Sequence, residues 1–167
     1  MARTTAAALD YLQALLADPA SGMNAQLGSI EARDGVTLAR IADDRFALLN
    51  MPSELADQTD EAGYPAVLLS AEQAENLNRE KFAYFSGPLR LGAEVRVSAE
   101  RPDSLEADVH RYVEAVVNVL QASPGEWSAG LVYSGRYAVS FSPARLGGDN
   151  FLQSARLSIA LEQYVAV

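Results

Sequence analysis

Residues 89–100, LRLGAEVRVSAE, alternate between apolar and polar side chains. The odd positions from 89 to 99 are all apolar, and the even positions hold polar or charged side chains and one glycine. A period of two is typical of a β-strand that buries one face and leaves the other accessible. The stretch therefore predicts a strand with one face in the core and charges of both signs on the other.

Patterns typical of helices lie on both sides of this strand. Residues 4–17 carry apolar positions at helical spacing, and residues 22–35 carry a shorter helical pattern between two glycines. After the strand, Asp103 and Glu106 match the Asp-x-x-Glu capping pattern, which predicts the start of a long helix. Its apolar stripe consists of Leu105, Val109, Tyr112, Val113, Val116, Val117 and Leu120.

Further strand patterns lie between the N-terminal helices and residue 89. Residues 36–49 and 64–73 carry strand-type apolar runs, and the acidic, Pro- and Gly-containing residues 50–65 are typical of a surface loop. Residues 82–87, FAYFSG, are predicted to pair with the strand that follows them. Together these runs predict one sheet.

The chain after the long helix also alternates. Residues 127–141 predict a strand with a bulge or bend at Gly135, residues 143–150 a turn or loop, and residues 151–165 a long terminal strand. The aromatic residues of the first of these strands are better explained as core than as a base-stacking platform: Trp127, Tyr133, Tyr137 and Phe141.

The order of elements is helices, strands, one long helix and strands. This order predicts an α+β fold, in which the long helix and the N-terminal helices pack on a mainly antiparallel β-sheet. The 167 residues contain no internal repeat or low-complexity segment. We therefore expect a single domain spanning residues 1–167.

The composition excludes several classes of protein. The chain has no cysteine, which rules out disulfides, thiolate metal sites and cysteine nucleophiles. It has no apolar run of about 18 residues, and Asp10 and Gln13 interrupt the first apolar stretch, so neither a membrane span nor a secretory signal is predicted. Its formal net charge of -9 disfavours sequence-independent binding to nucleic acid. The same charge is also explained by solubility alone.

Residues typical of catalysis or metal binding are scarce. His110 is the only histidine. It therefore lacks the partner residues that general-base catalysis requires, and the chain lacks a second nitrogen or sulfur ligand for a metal site. Acidic pairs such as Asp57 and Asp60 are typical of solvated loops, and residues 145–150, RLGGDN, lack the lysine of a phosphate loop. We expect no enzyme activity, no cofactor and no metal.

Charged residues of both signs interleave on the polar faces of two predicted strands. A solvated sheet face accounts for this pattern, and so does an interface between identical subunits, because mixed charges fix the register of two surfaces. We treat five of them as candidate interface residues: Arg90, Glu94, Arg96, Arg156 and Glu162.

The whole order of elements resembles the tail terminator proteins of long-tailed phages. The resemblance covers nearly all of the chain and rests on these segments, without a single signature residue: the N-terminal helix, GMNAQLGSIEARDG, YPAVLLS, VRVSAERPDSLEADVHRYVEAVVNVL, the Trp-led strand and ARLSIALEQYVAV. It implies a structural virion protein that forms a hexameric ring at the head-proximal end of the tail, after assembly in the host cytoplasm.

The resemblance also implies the partners of such a ring. These are further copies of the chain, the tail tube protein, whose polymerisation the ring ends, and a head-tail connector or neck protein. Genomic DNA would pass through the lumen without specific binding, which suits an acidic subunit. Related rings occur in phage-like particles and gene transfer agents.

Two other functions stay open on the sequence. Another head-tail connector or tail-completion protein would also be a ring subunit without catalysis. A cytoplasmic small-molecule binding domain would instead need a deep pocket, which a ligand-dependent rise in melting temperature would reveal.

Overall fold

A seven-stranded sheet and three α-helices make up the described part of the chain in the computed structural model. The structure describes residues 2–50, 63–77 and 86–164. The helices are α1 (Ala2–Ala17), α2 (Met23–Asp34) and α3 (Pro102–Gln121), with a short 3-10 turn at Asp43–Arg45. The strands are β1 (Phe46–Leu48), β2 (Ala66–Ala74), β3 (Gly87–Ala99), β4 (Gly125–Ser128), β5 (Leu131–Phe141), β6 (Arg145–Gly147) and β7 (Asn150–Gln163).

The sheet is mixed but almost entirely antiparallel. Its order is β1-β2-β3-β7-β5-β4. Strand β6 pairs with the start of β7, on the side of β7 where β5 lies. Among the described strands, β1 and β2 form the one parallel pair. Helices α1 and α3 pack on the sheet, and α2 packs on α3. The predicted α+β fold with a mainly antiparallel sheet and packed helices is confirmed.

The opening stretch forms β3, which lies in the middle of the sheet between β2 and β7. Leu89, Leu91, Ala93 and Val95 are completely buried, as the alternation predicts. The proposed pairing of residues 82–87 lies mostly outside the described residues, as does most of the predicted loop at 50–65.

Helix α3 buries the predicted stripe but begins differently from the prediction. Its first residue is Pro102, and Arg101 is the N-cap residue without a side-chain hydrogen bond to the helix. The predicted capping box at Asp103 is therefore wrong, because proline, which has no N–H to satisfy, occupies the first helical position. Val119 is buried in addition to the stripe, and Val117 is only partly buried.

Most of the strand predicted at residues 36–49 is absent from the structure. Only Phe46–Leu48 is a strand. The preceding backbone is bound by side chains of α2: the Leu38 N–H donates to Glu31 Oε1 at 2.6 Å, and Asn24 exchanges hydrogen bonds of 2.8 and 2.9 Å with Ile41. These bonds satisfy polar groups that would otherwise pair in a ladder.

Residues 127–141 form a hairpin instead of one strand. Ala129 and Gly130 separate β4 from β5, and Gly130 has a φ of 75°, which glycine adopts without strain. The bulge predicted at Gly135 is confirmed by a register shift between Tyr133 and Tyr137. Burial of the aromatic residues in the core is confirmed for Trp127 and Tyr133.

Phe141 is 44% exposed, so its predicted place in the core is wrong. The turn predicted at residues 143–150 contains strand β6, which forms a second hairpin with the start of β7. Its register joins Gly147 to Asn150, so only Gly148 and Asp149 lie between the paired positions.

Candidate interaction surface

The charged face of β3 lies against charges from its two neighbouring strands. Glu94 is directly opposite Arg156 of β7. Its Oε2 lies 3.4 Å from Arg156 Nη1, and its Oε1 accepts a hydrogen bond of 2.7 Å from Arg96 Nε. Arg156 Nε in turn donates to Glu72 Oε1 of β2 at 2.6 Å. We call these four residues the sheet-face network.

Gly92 makes room for this network to cross β3. A Cβ at this position would lie 2.7 Å from Arg156 Nη2 and 2.8 Å from Glu72 Oε1. Two serines complete the hydrogen bonding: Ser158 donates to Glu72 at 2.5 Å, and Ser70 Oγ lies 3.1 Å from Arg156 Nη2. The network therefore joins β2, β3 and β7 through paired charges that sum to zero.

Two of the five candidate interface residues lie outside the network. Arg90 is exposed, and its register partner on β7 is Ala160. Glu162 lies six residues beyond Arg156, about 20 Å along the strand, where its carboxylate is 3.9 Å from Arg136 Nη2 and accepts a hydrogen bond from the Tyr164 hydroxyl. The structure thus brings together Glu94, Arg96 and Arg156 but leaves the other two apart.

Intrachain pairing gives the sheet-face network a role within the fold. Opposite charges on adjacent strands stabilise one register, because a shift of one residue would turn the charges into the core. Arg96 is only 4% exposed and is therefore part of the folded interior. The hypothesis of contacts between subunits applies most directly to the exposed Arg90 and the partly exposed Glu162.

Large apolar side chains are exposed at opposite edges of the sheet. On the β1 edge, Leu48 and the following Leu49 are 45% and 40% exposed. On the far side of β7, Leu146 of the β6–β7 hairpin is 69% exposed. The sequence does not distinguish these residues from core leucines, because a leucine near a turn carries no signal about where the sheet ends.

A cavity of about 240 Å³ lies beside the β6–β7 hairpin. Its polar lining comes from well-separated parts of the chain, so no local pattern in the sequence could have indicated it. These lining residues are Tyr64, Arg96, Ser142, Arg145, Gln153 and Ser154. Arg96 belongs both to this lining and to the sheet-face network.

A second group of charges joins α2 to α3. Arg33 donates to Glu114 and to Asp34, and Arg111 donates to Asp34 at 3.1 Å and to Asp108 at 2.9 Å. The hydrogen bonds from Arg33 and then Arg111 lower the pKa of Asp34 to about 2. The carboxylate of Asp34 therefore links the two helices in its charged form.

His110 lies on the exposed flank of α3, as expected from its place beside the stripe. Its Nε2 is 4.0 Å from Glu106 Oε1, and its ring lies 4.4 Å from the ring of Phe141. Across residues 2–50, 63–77 and 86–164, no three His, Asp or Glu side chains converge as metal ligands would. Asp57 and Asp60 lie outside the described residues.

Within the described part of the chain, no helix is long and apolar enough to cross a membrane. No protein-family model matches the chain, and no curated protein matches it in sequence. The relationship to phage tail terminators therefore stays a prediction from the order and patterning of the elements.

Proposed function

We propose that copies of this chain assemble head to tail into a ring, hexameric as the resemblance implies, at the head-proximal end of a phage or phage-like tail. The ring caps the tail tube, ends its polymerisation and joins it to the head-neck connector. The α+β fold agrees with the architecture that the resemblance implies. Such a subunit acts through its shape and its contacts with neighbouring proteins and needs no catalytic group.

The observation that carries this proposal is the exposure of leucines at opposite edges of one sheet. A closed ring requires two different surfaces on each subunit, one for each neighbour. Leu48 and Leu49 at the β1 edge offer one apolar surface, and Leu146 on the β6–β7 hairpin offers the other. In a ring, each subunit would cover the exposed leucines of the next.

The acidic composition suits the passage of DNA through this ring. A formal charge of -9 on each subunit gives the assembly a large negative charge. Nonspecific binding of DNA draws on Lys and Arg that neutralise phosphates. A lumen lined with acidic residues would repel the phosphates, so that DNA would pass without being held.

The proposal is tested by measuring the mass of the purified protein by analytical ultracentrifugation, alone and with tail tubes, and by imaging the tubes. We expect rings of the wild-type protein on tube ends. Replacing Leu146 by Ser should raise the concentration needed for assembly without loss of fold by circular dichroism. Leu77→Ser, at another exposed leucine, is the matched control.

A wild-type protein that stays monomeric and leaves tube ends bare would contradict the ring. Rings found at another position in the particle would instead indicate a different connector or tail-completion protein. A small-molecule binding domain remains the second candidate, favoured by the cavity beside Arg96 and Arg145.

A further inference from the structure

The outer edge of β5 is unpaired over its second half among the described residues. Strand β4 pairs only with residues 131–133, and β7 lies on the other side of β5. Just after β5, Ser142 donates its N–H to the Ser154 carbonyl of β7 at 2.9 Å. Backbone groups of an antiparallel strand alternate between its two sides. Val139 and Phe141 therefore turn their N–H and C=O groups away from β7, where no described strand meets them.

This edge lacks the features that prevent a strand from pairing with another chain. Proteins protect exposed sheet edges with charged residues, proline or bulges. Residues 137–142, YAVSFS, contain no charge and no proline, and the bulge of β5 lies before them. Arg136 and Pro143 flank the segment and limit it to six residues. Its aromatic and β-branched side chains favour the addition of a short strand.

Strand β1, at the far end of the strand order, has one residue with outward backbone groups available. Leu49 donates its N–H to the Leu69 carbonyl of β2 at 2.9 Å. The alternation of the ladder then turns the N–H and C=O of Leu48 away from β2. Phe46 has both of its backbone groups hydrogen-bonded within the chain. Leu48 is therefore the position of β1 at which another strand can bind.

Leu48 and Val139 lie at the same level of the sheet. Successive strand partners join them in one row, which consists of Leu48, Leu69, Ala93, Leu157 and Val139. Paired residues point to the same face, and the three inner members of this row are buried in the core. Phe141, two positions along β5, points to that face as well. Leu48 and Phe141 are thus 45% and 44% exposed on one face, at two different edges.

We infer that Leu48 of one copy pairs with Val139 of the next, so that β1 extends the neighbouring sheet beyond β5. This inference rests on the proposed ring and identifies one of its contacts. The strand directions within one sheet make β1 antiparallel to β5, so the pair exchanges two backbone hydrogen bonds. Leu48 then lies diagonal to Phe141, about 7–8 Å away, where each covers the other. The contact joins two different edges, as head-to-tail assembly requires.

Introduced cysteines test this register directly, because the chain has no cysteine of its own. Leu48→Cys combined with Val139→Cys places one thiol on each side of the contact. Hydrogen-bonded antiparallel partners have Cα atoms about 5.5 Å apart, within the range of a disulfide. After mild oxidation of the assembled protein, we expect disulfide-linked multimers on a non-reducing gel that return to monomer on reduction. Leu48→Cys with Ala138→Cys is the matched control, because adjacent residues of a strand point to opposite faces.

Charged substitutions at the two exposed positions provide an independent measurement. Leu48→Asp alone and Phe141→Lys alone should each raise the concentration for half-assembly by about tenfold or more, because each places an unpaired charge against an apolar neighbour. The two substitutions in one chain should restore assembly toward the wild-type concentration, since the charges then pair across the contact. Leu77→Asp, at another exposed leucine, is the control.

The outcomes separate this contact from the ring itself. Absence of wild-type rings contradicts the proposed function, whereas rings that do not crosslink through positions 48 and 139 contradict only the contact. Equal crosslinking of the Ala138→Cys control also overturns it. Disulfide dimers of Val139→Cys alone would show that two β5 edges pair with each other, which overturns the head-to-tail contact. If the double cysteine variant loses its circular dichroism spectrum, recovery or its absence in the Leu48→Asp, Phe141→Lys variant decides.

Discussion

Asp34 is held by two arginines that approach it from different helices. Arg33 precedes it on α2, and Arg111 reaches it from α3 across 77 positions of sequence. Both donate hydrogen bonds to its carboxylate, and their effect lowers its pKa to about 2. The pKa of Asp in an unfolded chain is about 3.9. The folded state therefore favours the charged form of the Asp34 carboxyl.

This shift predicts how the contribution of Asp34 depends on pH. A lowered folded-state pKa stabilises the protein above the unfolded-state value, and that stability disappears as the pH falls from about 4 to about 2. We expect Asp34→Asn to lower the free energy of unfolding at pH 6, and the difference from wild type to shrink over that interval. Urea unfolding at several pH values gives the measurement.

Asp10→Asn, which removes an exposed carboxylate from α1, is the control for the loss of one negative charge. A difference between Asp34→Asn and wild type that stays constant from pH 6 to pH 2 would show that Arg33 and Arg111 do not stabilise the carboxylate. In that case the link between α2 and α3 would have to come from their apolar contacts.

Helix α3 connects the two halves of the core. It packs on β3 and β7 and also carries α2 on its side. Eight of its residues are buried, and they repeat at three- and four-residue spacing. A helix placed in this way is held mainly by its apolar face, since propensity alone contributes little.

Val113→Asp tests this packing directly. Val113 is 6% exposed, so the substitution would place an unpaired carboxylate among apolar side chains. We expect a loss of at least about 3 kcal/mol in the free energy of unfolding, or failure to fold. Ala107→Asp, at an exposed position of the same helix, should change stability by only about 0.5 kcal/mol. Thermal and urea unfolding that match wild type for Val113→Asp would contradict the packing.

The elements that the sequence predicted correctly are those with a local period. Alternation in residues 89–100 indicated β3 and its buried face, and the apolar stripe indicated α3. The errors come from contacts that no period encodes. Side chains of α2 bind the backbone near Leu38 and Ile41, so an apolar run that resembles a strand does not form one.

The candidate site was predictable only in part for the same reason. The alternation of side chains places Arg90 and Arg96 on the same face of β3. Arg90 is nevertheless exposed and Arg96 is buried. The neighbours of each residue depend on the register of β3 with β2 and β7. The same register brings Glu72 to Arg156 across 84 positions. Neither this register nor the cavity lined by Arg96 and Arg145 could be deduced from the spacing of residues.

At the scale of the whole molecule, the five candidate interface residues on β3 and β7 divide into two groups. The inner group, Glu94, Arg96 and Arg156, pairs within the chain and supports the register. Reversing Arg96 would therefore test folding and not assembly. The outer residues, Arg90 and Glu162, can be changed with less effect on the fold, because both have side chains accessible to solvent.

A double neutralisation of the outer residues tests whether this face contributes to the ring. Arg90→Gln combined with Glu162→Gln leaves the net charge unchanged, so an effect on assembly cannot come from general repulsion. Exposed ion pairs contribute about 0–1 kcal/mol each, and the contact would recur at every interface. We therefore expect an unchanged melting curve and a severalfold rise in the concentration for half-assembly. This rise should be smaller at high salt, because salt screens exposed charges.

Arg101→Gln with Asp103→Asn removes another exposed pair of opposite charges and serves as the control. Complete rings at the wild-type concentration would mean that the outer charges of β3 and β7 are solvated, and that the charged face of residues 89–100 acts only within its own chain.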